Sequence, residues 1–104
     1  MPNDDKVYIK IYEFENETII AACDPEVLDK ILVDLSRKIR FHVDPNYFKG
    51  DLRDIQYLLD HLKIASNATL VGRKVVEAAL QAGYIHPEAI LHVEDVPIAL
   101  FTRV

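Results

Sequence analysis

Two pairs of short apolar segments, one pair at each end of the chain, constrain the fold most. Near the start, residues 7–14 alternate in polarity, and residues 18–23 resume an apolar run after three polar residues. Near the end, residues 89–93 and 97–104 are separated by a turn at Glu94 and Asp95. Connections this short join antiparallel neighbours, so each pair predicts a β-hairpin.

Between the two hairpins the apolar spacing predicts three helices and one further strand. Asp24 followed by Pro25 is typical of a helix start and predicts a helix over about 25–33. Alternation then predicts a strand over 35–43, and i, i+3, i+4, i+7 spacing predicts a helix over 52–63. Three candidate caps, Ser66, Asn67 and Thr69, predict a last helix that ends at Gly83.

The resulting order is β-β-α-β-α-α-β-β, which predicts an α+β fold in two layers. We expect a mixed or mainly antiparallel sheet covered by helices, in a single domain over residues 1–104 with a flexible segment at 1–5. The predicted core consists of helix residues that face strand residues Ile9, Ile11, Ile39 and Phe41. These helix residues are Leu52, Ile55, Leu59, Val71, Val75, Val76 and Ala79.

Composition excludes several classes of protein. Twelve basic against seventeen acidic residues give a net charge of −5, so a strongly basic nucleic-acid binder is not expected, and DNA is not expected as a partner. The single cysteine, Cys23, excludes an intramolecular disulfide framework. No apolar run approaches the ~20 residues of a membrane span, and the start of the chain is polar and acidic. We therefore expect a soluble cytoplasmic protein that does not bind membranes.

Catalytic motifs are mostly missing, so no catalytic residue, metal site or cofactor is predicted, and enzymatic activity is left open. The four histidines, His42, His61, His86 and His92, do not have the spacing of a metal site. Cys23 lies just before a predicted helix start, where a helix dipole could lower the pKa of a thiol. The alternative, which we favour, is a buried small hydrophobe.

The predicted helix start near Gly72 is the first candidate binding site. Unpaired N–H groups at a helix start attract anions, and a glycine there allows a ligand or another backbone to approach closely. The candidate residues for binding an anion or ligand are Asn67, Thr69, Gly72, Arg73 and Lys74. The alternative is a capped helix whose Gly72 packs against a strand, with both cations solvated.

The second candidate site is a sheet surface that carries aromatic rings and cations. Tyr8, Lys10 and Tyr12 share one face of the first strand, and Lys38, Arg40 and His42 share one face of the third. Rings and cations on one sheet face can stack bases and hold phosphates, so these six residues are candidates for RNA binding. The alternative is that the tyrosines pack under a helix and the cations form a solvated strand face.

Five segments, in this order and spacing, resemble an archaeal family catalogued as domain of unknown function number four hundred and twenty-four. They are Val7-Tyr8-Ile9-Lys10-Ile11-Tyr12, Ile20-Ala21-Ala22-Cys23-Asp24, Tyr47-Phe48-Lys49-Gly50, Ala68-Thr69-Leu70-Val71-Gly72 and Val96-Pro97-Ile98-Ala99. The resemblance implies a small cytoplasmic archaeal protein with no assigned activity. The chain departs from the family pattern at Thr69 and Arg73, where Asn and Glu are usual, and at Ile98 and Leu100, where His and Gln are common.

The function predicted from the sequence is a non-catalytic interaction module. Its expected partner is RNA, or a protein, in the translation or RNA-processing machinery. The alternative is a small enzyme or a metabolite-binding protein with a site at the Thr69–Lys74 helix start. The sequence leaves the oligomeric state open.

Overall fold

The computed structural model describes residues 6–103, so the predicted flexible segment at 1–5 lies outside the described residues. Its centre is a six-stranded sheet in the order β5-β1-β2-β6-β8-β7. Neighbouring strands are antiparallel except β2 and β6, which are parallel, so the sheet is mixed. The elements in chain order are β1 (Lys6–Phe14), β2 (Glu17–Cys23), β3 (Ile31–Asp34), β4 (Ile39–His42), α1 (Pro45–Phe48), β5 (Asp51–Asp54), α2 (Ile55–Leu62), β6 (Asn67–Val71), α3 (Arg73–Gln81), β7 (Leu91–Val93) and β8 (Val96–Thr102).

One face of this sheet packs against helices α2 and α3. Apolar side chains of α2 and α3 lie at helical spacing, and Leu58, Leu62, Val75, Val76 and Ala79 are buried. They form one core with strand residues from β1, β2, β6 and β8, among them Val7, Ile20, Leu70 and Ala99. The predicted α+β class and the predicted mixed sheet covered by helices are therefore confirmed.

The opposite face is covered by a second, two-stranded sheet formed by β3 and β4, together with α1. Leu32, Val43 and Phe48 from this covering layer pack against Ala21 and Val71 of the large sheet. The structure therefore has a third layer beyond the two that the sequence predicts. Because both faces are covered, β2 carries buried apolar residues on both sides, Ile20 and Ala22 on one side and Ala21 and Cys23 on the other.

All three predicted helices are wrong over part of their length. Residues 25–33 hold only a short 3-10 helix, Pro25–Val27, followed by strand β3. The predicted strand over 35–43 is shorter, because the chain turns before β4 begins at Ile39. The segment of candidate caps is not a helix start but the central strand β6, and α3 begins only at Arg73. Pairing with β2 and β8 on both sides makes this segment a strand.

The predicted core is right for α3 and partly wrong for α2. Val75, Val76 and Ala79 are buried in α3, whereas Val71 is buried in strand β6 and belongs to the core on the other face of the sheet. Leu52 lies in the edge strand β5 and is 44% exposed. Helix α2 begins at Ile55, where the side chain of Asp54 accepts a hydrogen bond from Tyr57 N–H. Leu58 and Leu62 are its fully buried residues, whereas Ile55 and Leu59 are partly buried at the edge of the core. Ile39 and Phe41 belong to the other core, on the far face of the sheet.

Candidate functional site: a closed helix start and a basic ribbon

The parallel pairing of β2 and β6 places Asp24 beside Gly72. Cys23 at the end of β2 is in register with Val71 at the end of β6, so the next residue of each strand lies at the same edge of the sheet. Asp24 N–H donates to the Val71 carbonyl at 3.0 Å, and Gly72 N–H donates to the Pro97 carbonyl at 2.9 Å. Two residues 48 positions apart in the sequence therefore become direct neighbours.

The Asp24 carboxylate caps helix α3. Its Oδ2 accepts a hydrogen bond from Lys74 N–H at 2.8 Å, and its Oδ1 accepts one from Val75 N–H at 3.1 Å. Asp24 is only 1% exposed. These two N–H groups belong to the first turn of the helix, where an external anion would bind. The chain thus supplies its own carboxylate at the position for which the sequence predicts an anion.

Burial controls the electrostatics of this corner. Burial raises the pKa of Asp24, against the two backbone N–H groups of Lys74 and Val75, which lower it. Burial also raises the pKa of the neighbouring Cys23 thiol to about 12, and the carboxylates of Asp24 and Glu26 act in the same direction. Cys23 is fully buried, as the favoured interpretation predicts. A protonated, buried thiol is a poor nucleophile, because the thiolate is the reactive form.

The five residues predicted to form an anion site do not share one helix start. Asn67 and Thr69 lie in strand β6, and only Gly72, Arg73 and Lys74 lie at the beginning of α3. A cleft of about 250 Å³ does open beside Gly72 and Arg73, but carboxylate side chains also line it. These are Glu26, Glu94 and Asp95. Together with the cations Lys30 and Arg73, these three carboxylates give the lining a net negative charge, which does not favour an anion.

The tyrosine face of β1 is covered by helix α1. The Tyr12 ring stacks on Tyr47 with 5.1 Å between the ring centroids, and the Tyr12 hydroxyl donates to the Tyr47 carbonyl at 2.8 Å. The Lys10 ammonium donates to the Asn46 carbonyl at 2.9 Å. Tyr8 is half-buried in the core on this side of the sheet. The predicted open face of Tyr8, Lys10 and Tyr12 is therefore closed by the chain itself.

The three predicted cations of the third strand lie elsewhere, on the small two-stranded sheet. Arg40 and His42 are exposed on β4, and Lys38 is exposed in the turn just before it. Because β1 and β4 belong to different sheets, the structure does not bring the tyrosines and these cations onto one sheet face. The combined surface expected from the sequence is not formed, although Lys38, Arg40 and His42 do form an exposed group.

These cations belong to a segment whose charge is opposite to that of the rest of the chain. We call residues 30–43, which contain β3 and β4, the basic ribbon. It holds four basic residues, Lys30, Arg37, Lys38 and Arg40, and one acidic residue, Asp34, for a net charge of +3. Since the whole chain has twelve basic and seventeen acidic residues, the remainder has eight and sixteen, or −8. Among the described residues no ion pair engages the side chains of Lys38 or Arg40.

The basic ribbon is fixed to the turn between β7 and β8. Glu94 Oε2 accepts a hydrogen bond from Val33 N–H at 2.7 Å, and the Arg37 guanidinium donates to the His92 carbonyl. Glu94 and Asp95 form this turn with positive φ angles of 52° and 66°, as expected for a two-residue hairpin. The sequence predicted the turn but not its contact with the ribbon, which lies 61 residues away.

An apolar groove runs between β4 and the large sheet. Its volume is about 410 Å³, and Ile39 and Phe41 of β4 form one wall. The rest of its lining comes from Thr69, Ala89, Leu91, Ile98 and Leu100. Leu100 is 67% exposed. Side chains of β4 therefore alternate between this apolar groove and the exposed basic face.

Two further observations bear on the kind of site present. Within residues 6–103, no three histidine, cysteine or carboxylate side chains come together in a way that would hold a metal ion. None of the helices in the described part of the chain is long and apolar enough to cross a membrane.

The architecture is an α+β fold with a mixed six-stranded sheet, and it is shared with a solved structure. That structure is described as "Crystal structure of an uncharacterized conserved protein from Methanopyrus kandleri". It matches with a TM-score of 0.73 over 95% of each chain, at 14% sequence identity, and this likeness concerns the fold alone. No curated protein matches the sequence significantly.

The sequence model of the family described as "Protein of unknown function (DUF424)" matches residues 12–104. The chain belongs to this family, and the resemblance drawn from its five sequence segments is confirmed.

Proposed function

We propose that this protein is a non-catalytic binding module and that the basic ribbon is its binding surface. The observation that carries the proposal is the separation of charge. The ribbon has a net charge of +3 in a chain whose remaining residues sum to −8. Lys38 and Arg40 are exposed, and their side chains make no ion pair within the described residues. A local positive surface on an acidic protein attracts an anionic partner.

Of the two partner classes predicted from the sequence, the arrangement of the tyrosines favours a protein over RNA. Sequence-tolerant RNA binding uses exposed rings on which bases stack. Tyr12 already stacks on Tyr47, and Tyr8 is half-buried beneath the covering layer. The ribbon offers cations next to an apolar groove, which suits a partner that carries both carboxylates and apolar side chains. RNA remains the second candidate, favoured by the same exposed cations.

The test is capture of partners from an extract of the cells that produce the protein, with and without ribonuclease. The immobilised wild type is compared with Lys38→Glu/Arg40→Glu. The matched control is Lys49→Glu/Lys63→Glu, which makes the same change in net charge at exposed residues outside the ribbon. We expect a set of proteins that resists ribonuclease, disappears with the ribbon variant and remains with the control.

Two outcomes would contradict the proposal in different ways. Equal capture by the ribbon variant and the wild type would mean that the ribbon is not the binding surface. Loss of all ribbon-dependent partners after ribonuclease treatment would mean that the partner is RNA. Circular dichroism melts of each variant keep a loss of folding apart from a loss of binding.

A further inference from the structure

We infer that the basic ribbon binds an extended acidic segment of another protein, which adds as a strand to the free edge of β4. This inference rests on the proposed function and specifies the chemistry of its partner. The added strand would alternate acidic with apolar residues. Its acidic side chains would face Lys38 and Arg40, because the His42 imidazole already contacts Asp29. Its apolar side chains would enter the groove beside Phe41.

The first support is the unpaired edge of β4. The ribbon has two strands, and within the described part of the chain no third strand pairs with β4. Val43 N–H donates to the Lys30 carbonyl at 2.9 Å, on the β3 side. Because peptide groups alternate in direction along a strand, the N–H and C=O groups of Arg40 and His42 point away from β3. These groups are a template for one further strand.

The opposite edge of the ribbon is already engaged. On β3, the outward N–H of Val33 donates to Glu94 Oε2 at 2.7 Å. A side chain of the chain itself therefore blocks the β3 edge at this position. This leaves the β4 edge as the place where an incoming strand can pair with the ribbon.

The second support is the alternation of side chains on β4. Ile39 and Phe41 line the apolar groove, whereas Arg40 and His42 are exposed on the other face. An added strand has the same period of two, so its side chains also divide between these faces. One set would lie over the groove of about 410 Å³, and the other would lie beside the cations. The two surfaces thus require apolar and acidic residues in alternation.

The charges also decide against a second copy of this chain as the occupant. Two copies of β4 paired edge to edge would bring the cationic side chains at 38 and 40 of each copy next to those of the other. Like charges on adjacent strands destabilise pairing, and opposite charges stabilise it. Exposed Lys and Arg on an edge are a common means of preventing self-association. The same residues select an acidic strand.

The test uses a fluorescein-labelled nine-residue peptide that alternates glutamate with valine, and measures binding by fluorescence anisotropy. The control peptide has the same composition with the glutamates grouped at one end. We expect the alternating peptide to bind at least tenfold more tightly than the grouped peptide. On binding, the backbone amides of Arg40 and His42 should gain protection from hydrogen exchange, measured by NMR.

Two variants at one position isolate the backbone contribution. His42→Pro removes the outward N–H, whereas His42→Ala keeps it, and both remove the imidazole that contacts Asp29. We expect His42→Ala to bind the alternating peptide and His42→Pro to lose at least tenfold in affinity. If His42→Pro does not fold, Arg40→Glu decides instead, because it should reverse the preference toward a peptide that alternates lysine with valine.

Three results would overturn the inference: equal binding of the two glutamate peptides, no exchange protection at Arg40 and His42, or equal binding by the two folded His42 variants. Tighter binding of a labelled twelve-nucleotide polyuridine, without amide protection, would assign the ribbon to RNA. Each of these outcomes can be distinguished from failure of the proposed function. Capture that depends on Lys38 and Arg40, without peptide binding, would leave the ribbon as the binding surface and remove only the added strand.

Discussion

The carboxyl carbon of Asp24 lies where a side chain at position 72 would have to begin. A Cβ atom placed on Gly72 would be 2.5 Å from Asp24 Cγ and 2.7 Å from Asp24 Cβ. Gly72 also has a φ of +116°, a conformation that L residues rarely adopt. The glycine therefore allows the carboxylate to approach the start of α3, and the carboxylate occupies the N–H groups found there.

Removing the Asp24 carboxylate should destabilise the fold. We expect Asp24→Ala to lower the free energy of unfolding by about 1–3 kcal/mol, because the buried N–H of Val75 and the partly buried N–H of Lys74 lose their acceptor. Asp24→Asn should lower the free energy of unfolding by less, since its one carbonyl oxygen can still accept a hydrogen bond. The measurement is a urea melt, with Glu26→Ala as the control, because Glu26 is an exposed acid two residues away. Equal losses for Asp24→Ala and Glu26→Ala would contradict the capping role.

Adding a methyl group at position 72 should be more harmful than adding one at position 83. Gly83 has a φ of +87°, but an added Cβ there meets no atom within 4 Å. Gly83→Ala should therefore lower the free energy of unfolding only through backbone strain, by about 1–2 kcal/mol. Gly72→Ala and Gly72→Val add a clash with Asp24 to a similar backbone strain. They should therefore lower the free energy of unfolding by more than Gly83→Ala does. Thermal melts compare the three variants, and a neutral Gly72→Ala would rule out the close approach.

The burial of α2 makes different predictions for two adjacent leucines. Leu58 is fully buried, whereas Leu59 is partly buried at the edge of the core. We expect Leu58→Ala to lower the free energy of unfolding by about 2–5 kcal/mol, the usual range for a buried leucine. Leu59→Ala should lose less, because solvent already reaches this side chain. The reverse order in urea melts would mean that the helix is rotated from the orientation described.

The turn at the tip of the ribbon should respond to acid through Asp34. Hydrogen bonds from the Ser36 hydroxyl and the Arg37 guanidinium lower the pKa of Asp34 to about 2, from an ordinary value of 3.8. The folded state therefore binds this proton less tightly than the unfolded state. The contribution to stability is present above pH 3.8 and is lost as the pH falls toward 2.

An NMR titration of the Asp34 side-chain carboxyl tests this prediction. Ser36→Ala removes the largest cause of the shift, so the pKa of Asp34 should rise toward its ordinary value in that variant. An Asp34 pKa that is unchanged in the Ser36→Ala variant would refute the assigned cause.

Local pattern was sufficient for the elements whose partners are close in sequence. The hairpins β1–β2 and β7–β8 are correctly predicted, because short turns and alternating residues specify antiparallel pairing with a neighbour. The buried face of α3 is correct as well, since Val75, Val76 and Ala79 lie at helical spacing. The family resemblance was also visible in the sequence, as an ordered set of short segments.

Strand β6 shows where local pattern was insufficient. Asn67, Thr69 and the glycine after Val71 suggest a helix start, and a five-residue run cannot by itself distinguish a buried strand from a helix. Its identity is fixed by parallel pairing with β2 and antiparallel pairing with β8, both remote in sequence. Tertiary contacts of this kind override weak local preferences.

The candidate sites also combine features that local pattern determines with features that depend on tertiary contacts. The sequence by itself determined that Arg40 and His42 share one strand face, because that follows from a period of two, whereas Lys38 lies in the turn before β4. Only the tertiary structure decided that α1 covers the tyrosines and that Asp24 caps a helix beginning 49 residues later. Both depend on which strands become neighbours in the sheet, and such pairings are set by the packing of the whole chain rather than by local propensity.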